Sequence, residues 1–179
     1  SDVCSSDLNC VIDQPIPPSA SAVAAQLLVY ASLKTKATEL EWDIPAIDHY
    51  EEDQLPQTLE KLEEYQNPDG SWGNLPGLAS DANLTAFIIY SLQELQQTTP
   101  NPSIPLMVEQ GLLYLEITSP SPDDLIPNDY EPAAFIDLLR FRADSLPIYT
   151  DILLTDLESG SPASFAWLLQ TLPDPMEMN

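Results

Sequence analysis

The sequence predicts an all-α protein built from helical hairpins, and three observations carry that prediction. Apolar residues recur at the three- and four-residue spacing of a helix face in seven blocks, and no block alternates as a half-buried strand would. The 18 prolines fall mostly between those blocks, where they bound helices instead of interrupting them. Blocks that are apolar almost throughout alternate with blocks that are charged and more amphipathic. That alternation suits an inner layer of helices covered on most sides and an outer layer that buries a single stripe.

The elements follow in order. SASAVAAQLLVYASLK, residues 19–34, opens on serines and continues at helical spacing. PQTLEKLEEYQ, residues 56–66, starts with Pro56, which suits a first helical turn. NLTAFIIYSLQELQQ, residues 83–97, takes Asn83 as its N-cap, and SIPLMVEQGLLYLEI, residues 103–117, takes Ser103. EPAAFIDLLRFRA, residues 131–143, and LPIYTDILLTDLES, residues 146–159, come next. SPASFAWLLQTL, residues 161–172, closes the series with Ser161 as cap and Pro162 just inside. Three blocks share a small residue, an aromatic and then aliphatics, and predict Phe87, Phe135 and Trp167 on inward faces. Hairpins of this kind stack as a solenoid or close as a ring, with an irregular helical bundle as the alternative.

Composition narrows the function. The chain of 179 residues has five basic against 29 acidic residues, a net charge of -24. That surface repels phosphate backbones and anionic lipid, which argues against nucleic-acid and membrane-surface partners. The acidic runs DHYEEDQ and LEKLEEY read as solvated loop and helix faces. No apolar run approaches the roughly 20 residues that span a bilayer. Residues 1–8, SDVCSSDL, back-translate to a sequencing-adapter string, TCAGACGTGTGCTCTTCCGATCT, and are set aside as an artefact. Cys4 is then not native and Cys10 stands alone, so no disulfide framework is expected. The expected domain covers residues 9–172, with residues 173–179 as a tail.

One stretch raises a sharper question. QNPDGSWGNLPGLASDANLTAFIIYSL, residues 66–92, carries Trp72 in the middle of a polar loop. Asp69-Gly70 predicts a tight turn, because glycine accepts a positive φ without strain. Trp72 is expected to fold back between neighbouring helix ends, with ligand stacking as the alternative.

The Gln66-x-x-Asp69-Gly70-Ser71-Trp72-Gly73 turn, followed by an apolar helix, resembles the repeat of the alpha/alpha toroids. Those proteins include terpenoid cyclases, protein prenyltransferase beta subunits and the thioester domain of alpha-2-macroglobulins. Ser80-Asp81-x-x-Leu84-Thr85-Ala86-Phe87 then resembles the signature of bacterial alpha-2-macroglobulins. IPLMVEQGLLYLE resembles the outer helix that follows it there. The resemblance covers residues 56–116 best, extends with weaker identity to 172, and is thin before residue 50. It implies an incomplete toroid and a structural set of Gln66, Asp69, Gly70, Trp72, Asp81 and Thr85. It also implies a place within a larger extracellular, periplasmic or cell-surface endopeptidase inhibitor that entraps proteases. The partners so implied are proteases, met by the full-length protein, and other domains of the same chain.

Many members of that family carry a thioester between the Cys and Gln of Cys-x-x-Gln. Here Cys10 and Gln14 are the nearest candidates, and Val11, Ile12 and Asp13 stand between them. Asp13 holds the family position and has no amide to condense with a thiol, so a degenerate site or a buried cysteine is expected. Enzyme signatures are missing too. Asp123-Asp124 lacks the Asp-x-Asp-Asp context of a protonating terpenoid cyclase and reads as capping a turn. One His and one native Cys do not make a zinc site, and His49 reads as an exposed loop histidine. The sequence therefore predicts no catalysis, no metal and no cofactor. A fragment of a terpenoid cyclase-like toroid enzyme remains the alternative.

Overall fold

A computed structural model describes residues 19–126 and 129–155, together with residues 166 and 170. The described residues form seven α-helices, one π-helical turn and one 3-10 turn, and contain no strand. The helices are α1 (Ala20–Glu39), α2 (Pro45–His49), α3 (Leu55–Glu64), α4 (Ala82–Thr98), α5 (Ile104–Thr118), α6 (Tyr130–Arg142) and α7 (Thr150–Thr155). The all-α class is thus as expected. The block predicted over residues 161–172, and Trp167 within it, lie outside the described residues.

The helix placed centrally is α4, which packs on α1, α5 and α6. Its buried residues, among them Ala86, Ile88, Ile89, Leu92 and Leu95, surround most of its circumference, as an inner helix requires. Phe87 and Phe135 are half-buried against the core, and the Phe135 ring meets Tyr90 with centroids 5.9 Å apart. Helix α3 buries one stripe, Leu55, Thr58, Leu59 and Leu62, as an outer helix does. Helix α5 departs from the expected amphipathic pattern. It buries Ile104, Met107, Val108, Gly111, Leu112 and Leu115 but also turns Leu106, Leu113 and Ile117 to solvent.

Residues 45–54, which lie outside every predicted helix and include the acidic run DHYEEDQ, are helical. Ala46, Ile47 and Tyr50 are buried, a short stripe masked in the sequence by Asp48, Glu51, Glu52 and Asp53. The π-turn Tyr50–Gln54 joins α2 to α3, with the Leu55 amide donating to the Tyr50 carbonyl. Pro56 explains it, because proline has no N–H and its ring collides with the carbonyl four residues back in an α-helix. A wider turn relieves that collision. His49 is therefore on a helix, not a loop. It is exposed, with Nδ1 2.8 Å from an Asp53 carboxylate oxygen one turn on.

Helix α1 runs five residues past its predicted end, to Glu39, and three helix starts differ from the sequence-based expectation. Asp81, not Asn83, caps α4, and its carboxylate accepts from the Asn83 and Leu84 amides at 2.9 and 3.0 Å. The negative charge also suits the positive end of the helix. Ser103 makes no cap bond at α5: its backbone is helical (φ -80°, ψ -26°) where a capping residue is extended, and Pro105 removes one of the two amides that a cap could use. Its amide and hydroxyl instead donate to Asn101 Oδ1. Helix α7 begins at Thr150 rather than at residue 146. The buried Asp137 carboxylate takes the Ile148 and Tyr149 amides at 2.6 and 2.9 Å and the Thr150 hydroxyl at 2.8 Å, which fixes that start. Asp123 and Asp124 lie in the 3-10 turn Pro122–Asp124.

Candidate functional site

The six residues singled out around Trp72 form one connected knot. The chain leaves α3 at Tyr65 and turns at Asn67–Gly70, where the Gly70 amide donates to the Asn67 carbonyl at 2.9 Å. Gly70 has φ +87°, and a Cβ there would lie 2.3 Å from the Gln110 carbonyl oxygen of α5. Glycine is required on both counts. The Asp69 carboxylate accepts from the Ser71 amide at 3.0 Å, the Ser71 hydroxyl at 2.6 Å and the Ser80 hydroxyl at 2.9 Å. The Ser71 hydroxyl, acting against a smaller burial penalty, is the main reason that Asp69 titrates below the usual carboxylate range.

Trp72 is fully buried and every polar group it carries is used. Its amide donates to Thr85 Oγ1 at 3.0 Å, its indole Nε1–H to the Leu62 carbonyl at 2.9 Å, and its carbonyl accepts from the Asp81 amide at 3.2 Å. The buried Thr85 hydroxyl in turn donates to the Asp81 carbonyl at 2.8 Å. Gln66 Nε2 donates to the Gly70 carbonyl at 2.9 Å and to the Met107 carbonyl at 3.2 Å. A single bridge pairs Gln66 with Trp72. The same loop reaches α1, where Asn74 accepts from the Ala20 amide at 3.0 Å and the Ser21 hydroxyl at 2.7 Å. One turn thus binds α1, α3, α4 and α5. The wedging role expected of Trp72 is the observed one.

Sequence reasoning missed Gly111, which completes this site. A Cβ on Gly111 would lie 2.8 Å from the Trp72 ring and 2.9 Å from the Ile89 side chain. The signal was legible, since glycine inside an apolar helix costs helix stability and marks a close approach.

A second polar cluster ties α1 to the π-turn and to the end of α4. Tyr30 donates to Glu51 at 2.9 Å, and Lys34 pairs with Glu51 and donates to Thr99 Oγ1 at 2.9 Å. Burial pushes the Tyr30 hydroxyl well above its ordinary range. For Glu51 burial acts upward, and the Lys34 ammonium and Tyr30 hydroxyl outweigh it and hold the carboxyl low. The cations of the chain are all engaged. Lys36 pairs with Glu39, Arg140 with Glu116 and Arg142 with Glu94, while Lys61 lies over the Tyr65 ring.

Among the described residues no group of three His, Cys, Asp or Glu side chains could hold a metal ion, and no helix is long and apolar enough to cross a membrane. Cys10 and Gln14, the thioester candidates, lie outside the described residues. Comparison with known proteins returns no matching family model, no matching curated protein and no matching solved structure.

Proposed function

We propose that this chain is a non-enzymatic helical domain of an alpha-2-macroglobulin-like endopeptidase inhibitor, one arc of an alpha/alpha toroid that takes part in protease entrapment by a longer extracellular or periplasmic protein. The supporting observation is the hydrogen-bonded knot around Trp72. The residues that carry the sequence resemblance, Gln66, Asp69, Gly70, Trp72, Asp81 and Thr85, each have a structural task in it. The polar groups of Trp72 and Thr85 are consumed inside the protein, which supports a scaffold over a stacking surface for a ligand.

The domain acts without a thioester in this reading, because Asp13 occupies the position at which an amide would have to stand. Two experiments test it. The longer protein encoded by the source gene, mixed with an endopeptidase, should block digestion of protein substrates while the trapped enzyme still cleaves small peptides. Full digestion of protein substrates would refute inhibition. In the chain itself, with Cys4 replaced, Cys10 should titrate as a free thiol and methylamine should add nothing. An ammonia-sized mass deficit, with methylamine then adding at Gln14, would overturn the thioester-free form.

A further inference from the structure

Between α5 and the C-terminal end of α6 lies a groove of about 660 Å³. Val108, Leu112 and Leu113 of α5 form its apolar wall. Gln93 of α4 lines it from below, 7% exposed, and donates through Nε2 to the Leu139 carbonyl at 2.7 Å while its buried Oε1 has no partner. Glu109 and Asp144 stand exposed at the rim and pair with no cation among the described residues. The two groove arginines carry no free positive charge, being held by Glu116 and Glu94. Beside the groove Leu106, Leu113 and Ile117 continue the apolar surface, at 58, 57 and 74% exposure. A helix apolar on both its buried and its outward side is incompletely covered.

We propose that this groove and the Leu106–Leu113–Ile117 stripe dock a basic amphipathic helical segment of another protein. Its apolar side covers Leu106, Leu113 and Ile117, and its flanking Lys or Arg residues answer Glu109 and Asp144. Charge complementarity selects this occupant over a second copy of the chain, which would bring a net charge of -24 to an acidic rim. The proposal does not depend on the inhibitor reading.

The test titrates a fluorescent Leu/Lys peptide in amphipathic helical register into the whole chain, with amide shifts recorded by NMR. Saturable binding is expected, with shifts at residues 104–117 and 140–145. Leu113→Glu should weaken it by about tenfold or more, as loss of an interface anchor does. Leu78→Glu adds the same charge at an exposed site outside the groove and should leave it nearly unchanged. A scrambled peptide of equal charge should also bind about tenfold more weakly, since it presents no apolar side. Equal binding of the scrambled peptide, indifference to Leu113→Glu, or shifts elsewhere would each overturn the proposal. So would a dimer that Leu113→Glu dissociates, which gives the groove to a second copy. Contacts from Leu113 to residues 161–172 in the free protein would give it to the chain's own last block.

Discussion

Helix α5 meets the Trp72 turn through the Met107 carbonyl and Gly111 on one side, and turns Leu106, Leu113 and Ile117 to solvent on the other. Both sides are apolar, yet they differ in what each residue has to satisfy. On the inner side Gln66 Nε2 bonds the Met107 carbonyl of the helix, and the Trp72 indole, itself bonded to the Leu62 carbonyl, packs at Gly111. On the outer side Leu106, Leu113 and Ile117 stand exposed. The contrast shows that hydrophobicity alone does not say which face is the core, and that specific polar bonds beside a face do.

The inner side should therefore carry the large energetic effects. Trp72→Ala should destabilise the fold by about 3–5 kcal/mol, the usual cost of deleting a buried aromatic, read from urea unfolding. A loss under about 1 kcal/mol would break the comparison. Next come two hydrogen-bonded carboxylates, Asp137 and Asp69, expected to respond to pH in opposite directions. Burial pushes the Asp137 carboxyl up, only partly offset by its three donors, whereas Asp69 is held low. A raised folded pKa means that the Asp137 contribution is fully present below the ordinary carboxyl range and is lost as pH rises through the raised value. A lowered one means that the Asp69 contribution is present above that range and is lost as pH falls through the lowered value. Asp137→Asn should cost about 2 kcal/mol, as expected when buried donors lose acceptors, and its cost should shrink from acid to neutral pH. The cost of Asp69→Asn should grow over the same interval. Parallel slopes in unfolding experiments at several pH values would contradict the assignment.

Gly111→Ala sets a gain in helix propensity of about 1 kcal/mol against an overpacking cost of about 1–3 kcal/mol. The indole is held by its bond to the Leu62 carbonyl and cannot give way freely. A net loss of about 1 kcal/mol is expected by thermal unfolding, and a net gain would show that the ring moves. Smallest of all, Leu113→Ser on the outer face should change stability by under about 0.5 kcal/mol. A loss as large as that of Trp72→Ala would mean that the outer face is already covered.

These differences also explain what was legible in the sequence. Periodicity located the long helices, because a buried stripe of the length found in α1, α4 or α5 leaves a pattern that charges cannot hide. It missed α2 and the π-turn, where Ala46, Ile47 and Tyr50 are interleaved with four acidic residues. Trp72 was readable because an aromatic in a polar loop demands burial. The capping role of Asp81 was legible in principle, since Asp and Asn are comparable caps and both precede the apolar run, whereas the start of α7 was not, since it rests on Asp137 of another helix. Helix α5 misled for another reason. Its few charges suggested an amphipathic outer helix, and only the coordinates separate Leu112, which is buried, from Leu113 beside it, which is exposed.

The central claim is that Trp72 is a structural wedge whose indole N–H is locked to the Leu62 carbonyl. Hydrogen exchange at that one indole proton tests it most directly, because the resonance is distinct from backbone amides. The structure predicts exchange only through global opening, at the rate of the slowest α4 amides and with the same urea dependence. Exchange within minutes under native conditions, independent of urea, would contradict it and return Trp72 to the role of an accessible ring.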